Sequence, residues 1–292
     1  MDLTEIFYHT DEFCINFEKT LAKFSLETEI IRKQRSSRKL VSSEVLTILI
    51  YFHLSKVKTF KDFYNGTVKM LYTRAFPNLP SYNRFVELMQ DYALYTYAFM
   101  VFRFGKSTGT GFIDSTPLKV CHNRRIYSHR VFKGVAQRGK SSMGWFYGFK
   151  LHFTINEQGK ILGVALTSGN VADNNQSIVD LITQNMHGKL FGDKGYISSS
   201  LFKNLFAKGL HLVTKVKKNM KNKLMNMQDK LMLKKRGIIE SVIDLLKNSC
   251  TIDHTRHRSK TNFLVNLFSG LVAYSFFDRT PSIRTYNKEI NA

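Results

Sequence analysis

Three carboxylates stand where the sequence can place chemistry: Asp114 in the run 112–116 (FIDST), Asp193 in 190–196 (LFGDKGY) and Glu240 in 236–247 (RGIIESVIDLLK). Each aspartate closes a short apolar run, which predicts an acid at the point where the chain leaves a strand. Taken singly, such an aspartate is equally an ordinary cap or turn residue; the pair is more informative. Glu240 lies in a run whose isoleucines, leucines and valine supply a broad apolar helix face, and steps of four and seven align Arg236, Glu240 and Lys247 along one stripe. By itself that stripe also reads as a solvent-exposed ion-pair face. Three acids brought together repel one another unless a cation or a raised pKa neutralises part of the charge. Oxygen-only donors favour Mg²⁺ or Mn²⁺ over zinc, and two such ions about 4 Å apart suit phosphodiester chemistry.

The charge balance points to the same partner. The chain has 292 residues with 44 Lys and Arg against 22 Asp and Glu, a formal charge of +22, and this surplus favours polyanions such as nucleic acid. Between Ser115 and Asn156 there is no acid, yet Lys119, Arg124, Arg125, Arg130, Lys133, Arg138, Lys140 and Lys150 all occur. A basic Gly- and Ser-containing stretch beside an acid centre suits a phosphate backbone, with cations positioning the strand. Trp145, Phe146 and Tyr147 are candidates to stack on an unpaired base, with a core role expected for at least two. A second basic cluster runs from Lys215 to Arg236, through Lys217, Lys218, Lys221, Lys223, Lys230, Lys234 and Lys235, against Asp229 alone. It leads into the Glu240 helix, although a solvated lysine face is the plain alternative. His122, His129, His152, His254 and His257 match neither HExxH nor zinc-finger spacing, so a histidine metal site is not favoured. Arg256, Arg258 and Lys260 precede an apolar helix and are further candidates for DNA contact.

The elements that must position these groups change character near residue 108. Before it, 42–54, 60–71 and 82–102 carry apolar residues at three- and four-residue spacing between turn signals at Asn65-Gly66 and 77–80, predicting an all-helical domain over 1–107. Ser42, Ser43 and Glu44 suit the start of one helix and Ser81 the start of another, a pair resembling a helix-turn-helix but equally an ordinary bundle. After it, 111–114 reads as a short buried strand, 147–155 alternates Phe149, Leu151, Phe153 and Ile155 against Lys150, His152 and Thr154, and 156–159 turns into a strand at 161–166. Helix 178–186, strand 189–192, helix 201–208, strand 212–216 and helix 238–247 follow, giving the order βββαβαβα over 108–292. That order predicts an α/β fold: a mixed sheet with flanking helices, the pattern of ribonuclease-H-like cores.

Composition bounds the rest. At 43% apolar residues with four prolines the chain can bury a core, and its three scattered cysteines, with no CxxC, suggest neither a disulfide framework nor a cysteine zinc site. The first residues lack a basic-then-apolar signal, and the apolar stretches 45–54 and 263–277 fall short of a membrane span and read as buried helices. A cytoplasmic protein with no membrane partner is expected.

Together, the runs GFIDSTPLKVCHNRRI, HRVFKGVAQRGKSSMGWFYGFKLHF, LTSGNVADNN, LFGDKGY, RGIIESVIDLLK and HTRHRSKTNFLVNLFSGLVAY resemble the DDE transposases of bacterial insertion sequences, most similar to the family numbered nine-eighty-two. The resemblance covers nearly the whole chain. It implies a ribonuclease-H-like core in which Asp114, Asp193 and Glu240 are the catalytic acids and hold two divalent ions, Mg²⁺ or Mn²⁺. It also implies cleavage and strand transfer at element ends, DNA as partner, and at least a homodimer when assembled on DNA. Arg236, Glu240 and Lys247 match the spacing of the Tyr-Arg-Glu-Lys signature of related transposases, with Leu233 where that signature has tyrosine. Candidate DNA contacts are Arg124, Arg125, Arg130, Lys133, Arg138, Lys140, Arg236 and Lys247. The rival readings are a degenerate, non-catalytic DNA-binding protein and a nuclease of the same fold that only hydrolyses.

Overall fold

The computed structural model describes residues 2–27, 40–216, 220, 224–253 and 257–283. It opens with α1 (Leu3–Glu27) and α2 (Ser42–Leu54), the latter starting where the Glu44 carboxylate accepts the Val41 N–H at 2.9 Å. The 60–71 region is helical throughout but not regular: α3 (Phe60–Asp62) passes into a π turn, Phe63–Val68, and then α4 (Lys69–Leu71). The Asn65-Gly66 pair, expected as a turn, therefore lies inside a wide helical turn that drives Phe63 and Tyr64 fully into the core. The single helix expected over 82–102 is two, α5 (Tyr82–Asp91) and α6 (Ala93–Phe102), because Tyr92 leaves helical geometry at φ −99 and ψ 10. As expected, Ser81 caps α5, its Oγ accepting the Arg84 N–H at 3.3 Å.

The sheet that follows has six strands: β1 (Thr110–Cys121), β2 (Gln137–Ser141), β3 (Gly144–Asn156), β4 (Ile161–Ser168), β5 (Gly188–Gly192) and β6 (Leu210–Thr214). Its order is β2-β3-β1-β5-β6, with β4 also on β3. β1, β3 and β4 form an antiparallel meander, and β5 and β6 run parallel to β1. Leaving β2 aside, this is the third-second-first-fourth-fifth order of a ribonuclease-H-like sheet. β2 was not foreseen; it shares one edge of β3 with β4, pairing 144–148 where β4 pairs 149–155. The turn at 156–159 forms as expected, with Asn156 Oδ1 accepting from the N–H groups of Gln158 and Lys160, each at 3.0 Å. His152 and Thr154, the polar members of the alternation over 147–155, are as buried as their apolar neighbours because the sheet is covered on both sides.

One cover is α7 (Gln176–Ile182) and α8 (Ser199–Ala207), which close over Ile113, Leu162, Leu190 and Leu212. The approach is tightest at Gly163, where a Cβ would collide with the carbonyl oxygen of Ile182 at the end of α7. Gly163→Ala must push α7 off β4, so chemical denaturation should show a loss of about 3 kcal/mol; an unchanged midpoint would mean that the contact yields freely. On the other side α9 (Met227–Lys235), unforeseen within the basic cluster, packs on β5 and β6, and α10 (Gly237–Asp244) on β1.

α10 runs into a second π turn, Leu245–Ser249, and the chain then returns to the helical unit as α11 (Lys260–Tyr274). Two compact units result: Met1–Arg103 with Leu246–Asp253 and His257–Asp278, and Phe104–Leu245 with His254–Arg256 and Arg279–Ala292. α11, which the sequence places with the sheet half, packs on α2 and α6. Within this helical unit His53 is buried, its Nδ1 at the Cys250 carbonyl and its Nε2 3.2 Å from Ser269 Oγ, and burial pushes its pKa down to about 4. The three cysteines are free and buried. Among the described residues no helix is long and apolar enough to cross a membrane.

Candidate active site

Asp114 does not end its strand. β1 continues seven residues further because β3 pairs with it as far as Cys121, and it is β5 that stops short, its register with β1 ending at Phe112↔Phe191. Asp114 lies two residues beyond Phe112 and Asp193 two beyond Phe191, so both acids stand just past the last pair of one parallel ladder. Their parity is that of the two phenylalanines, whose rings meet at 5.6 Å, and two steps along a strand return a side chain to the same face.

Glu240 comes to this face on α10. The expected i, i+4 pair forms, with Arg236 Nη2 donating to Glu240 Oε1 at 3.1 Å, and the same guanidinium reaches across, Nη1 donating to Asp114 Oδ2 at 2.8 Å. One arginine thus joins the first and third acids. Lys247 sits in the second π turn, where the 3.6-residue period used to align it does not hold, and its ammonium lies 3.5 Å from Asp253. Leu233, in the place of the signature tyrosine, is a buried apolar side chain of α9.

A fourth acid was missed. Asp173, in the loop after β4, accepts the Ser115 hydroxyl at 2.6 Å and the Lys150 ammonium at 3.0 Å on one oxygen, while Lys150 also donates to the Val171 carbonyl at 2.8 Å. Its other oxygen lies 3.7 Å from where a Cβ on Gly195 would be, which places it against the turn that follows Asp193. The local signal was weaker than for Asp193: Asp173 stands past a loop after β4, which ends at Ser168, whereas Asp193 directly follows β5. Tyr196 was missed as well. Its ring belongs to the apolar cluster under α7 and α8, its backbone N–H closes the turn onto the Asp193 carbonyl at 3.0 Å, and its hydroxyl is buried without a hydrogen-bond partner.

Electrostatics make this a strained place for negative charge. Burial pushes the Asp114 pKa up, a tendency that Asp173 reinforces and that the Ser115 N–H and Arg236 oppose without overcoming. Burial also pushes the Tyr196 phenol well up, with Asp114, Asp173 and Asp193 adding to it. His152 is pushed down to about 4 by burial and bonds Thr167 Oγ1 at 2.9 Å, so it is a packed neutral imidazole.

The profile of the Transposase DDE domain matches residues 104–260, which span β1 to the start of α11 and include all three predicted acids. The chain belongs to the DDE transposase domain family. No curated protein sequence is significantly similar to it. Among solved structures it is similar to piggyBac transposase in a synaptic complex with hairpin DNA, at a TM-score of 0.49 and 13% identity, over 94% of this chain and 70% of that one.

DDE transposases as a family use divalent metal ions, and the candidate donors of this member are Asp114, Asp193 and Glu240. Their chemistry fits: carboxylates alone, the preference of hard divalent ions, beside a buried hydroxyl that lacks a partner. In the present arrangement Arg236 occupies the carboxylates of Asp114 and Glu240, and among the described residues no three His, Cys, Asp or Glu side chains converge as a ready-made cage.

The basic stretch of this DDE domain is a structured insertion between β1 and β3. Arg124, Arg125, Arg130, Lys133, Arg138 and Lys140 are all solvent-accessible to some degree, and none pairs with a carboxylate among the described residues. Phe146 and Tyr147 are buried while Trp145 is 62% exposed, with the Lys140 ammonium 5.8 Å from its ring centroid. Of the second basic cluster, Lys215, Lys230, Lys234 and Lys235 are exposed; Lys217, Lys218, Lys221 and Lys223 lie outside the described residues, as do His254 and Arg256.

Proposed function

We propose that this protein is the DNA transposase of an insertion sequence, which cleaves a DNA strand at each element end and joins the freed 3′ hydroxyl to target DNA. Asp114, Asp193 and Glu240 are its catalytic acids, holding two divalent ions, Mg²⁺ or Mn²⁺. It acts in the cytoplasm on chromosomal DNA, as a homodimer or larger assembly on two ends. The observation that carries this reading is the shared offset of Asp114 and Asp193 past the Phe112↔Phe191 pair, with Glu240 tied to Asp114 through one guanidinium.

When bound, the paired ions supply activation of the attacking oxygen and stabilisation of the leaving one. The chain's own groups do the rest. Arg236 keeps Asp114 and Glu240 together before loading, and Lys150 and Ser115 fix Asp173 beside β1. Arg124, Arg125, Arg130, Lys133, Arg138 and Lys140 neutralise phosphates, and Trp145 offers a stacking surface to an unpaired base.

The test is a labelled duplex carrying the sequences that flank the coding region, incubated with Mg²⁺ and a target plasmid. Nicked ends followed by joined products are expected. Cutting without joining would leave a hydrolytic nuclease, and salt-sensitive binding without cutting would leave a DNA-binding protein. Binding itself should weaken with salt at a log–log slope of about −0.9 per phosphate neutralised. Trp145→Ala should weaken binding to an end with unpaired bases by about 1–3 kcal/mol while leaving blunt duplex affinity nearly unchanged. Equal losses on both substrates in a fluorescence-anisotropy titration would remove the stacking role.

A further inference from the structure

Tyr196 combines two things that do not belong together in a settled core. Its ring is held among Ile113, Leu201 and Leu205, only 2% of the residue is exposed, and Gly192 leaves the gap the ring fills, since a Cβ there would lie 3.2 Å from it. Yet its hydroxyl has no hydrogen-bond partner, and the charged groups acting on it are Asp114, Asp173, Asp193 and Arg236. A buried donor without an acceptor is unfavourable, and such orphans are rare in folded proteins. The apolar ring accounts for the packing; the hydroxyl adds nothing to it. A phenylalanine would serve the fold as well, so the oxygen points to something that enters the acid pocket.

We propose that Tyr196 is a positioning residue of the acid site, whose hydroxyl gains its partners when a hydrated divalent cation is held by Asp114, Asp193 and Glu240. The phenol oxygen accepts a hydrogen bond from a water on the cation, and the O–H donates to a carboxylate oxygen of the pocket. Outer partners of this kind fix the orientation of metal-holding carboxylates, and losing one typically weakens metal affinity. Three residues after Asp193, on a turn closed by the Asp193 carbonyl, Tyr196 moves with the acid it serves. The proposal rests on the reading of those three acids as the ones that hold metal.

Mn²⁺ binding to the full-length, DNA-free protein, followed by electron paramagnetic resonance, tests it alongside thermal melting without metal. Tyr196→Phe should bind Mn²⁺ about tenfold more weakly while melting at or above the wild-type temperature, because an unsatisfied hydroxyl has been removed. A merely structural tyrosine gives the opposite pattern, a lower melting temperature with unchanged Mn²⁺ affinity, and that result overturns the proposal. Asp193→Asn is the control that separates the two readings. If it abolishes Mn²⁺ binding and Tyr196→Phe leaves it intact, the acids stand and the role of Tyr196 falls. If wild type and Asp193→Asn bind Mn²⁺ equally, the acid site fails and takes this inference with it.

Discussion

Asp114→Asn should abolish strand cleavage, by on the order of 10³-fold or more as expected when one member of an interdependent catalytic set is lost, without destabilising the protein. The second half of that expectation is the unusual one. The Asp114 side chain is about one-fifth exposed, and burial raises its pKa despite two groups that favour the charged form. A carboxyl whose folded pKa exceeds its unfolded value contributes stability below the unfolded pKa and loses it as pH rises through the folded one. At neutral pH the ionised Asp114 is therefore a cost, and a neutral amide of the same shape relieves it. Cleavage of a labelled end and a thermal melt of the same preparation check both halves. An inactive Asp114→Asn variant that melts well below wild type would mean that Asp114 is a structural member of the Arg236 pair rather than a charge kept for catalysis.

Arg236→Ala should lower stability by an amount that depends on pH. The guanidinium donates to both Asp114 and Glu240, and its field and hydrogen bond are two of the influences that hold the Asp114 pKa down. Removing it leaves a poorly solvated carboxylate uncompensated. The expected loss is about 2–3 kcal/mol at pH 7.5, less than for a fully buried pair because both partners retain some contact with water. Without Arg236 the folded pKa of Asp114 rises further, so the loss shrinks as pH falls and Asp114 takes up its proton. Urea denaturation of wild type and variant at pH 7.5 and pH 4 measures the difference; an equal loss at both would show that the arginine acts by packing alone.

The acids were legible because each closes or interrupts an apolar run, a local signal that survives without knowledge of the fold. The strand that carries Asp114 was not. The sequence ends the strand at Asp114, yet β1 passes on through Ser115, Thr116 and Pro117, because β3 still pairs with it there, and beyond Phe112 it has lost β5 as a neighbour, an open edge of the kind that tolerates a proline. β2 was invisible for a related reason. Only Gly139 of its five residues is buried, in a place where a Cβ would collide with the Gly169 carbonyl oxygen, so the strand is specified by a close backbone approach and not by alternation. α9 hid within a lysine run that buries only Asp229 and Leu233. Arg236 was found as part of a stripe, but its grip on Asp114 is a contact across 122 residues of sequence that no spacing rule expresses.

The helical unit is not a contiguous piece of chain. His53 in α2 is held by the Cys250 carbonyl and Ser269, and α11 supplies a wall of buried residues from Phe263 to Tyr274. During synthesis, then, the first hundred residues leave the ribosome with a greasy seam that stays open until the whole sheet unit and α11 have followed them out. A chain stopped anywhere before α11 would leave that bundle unsealed.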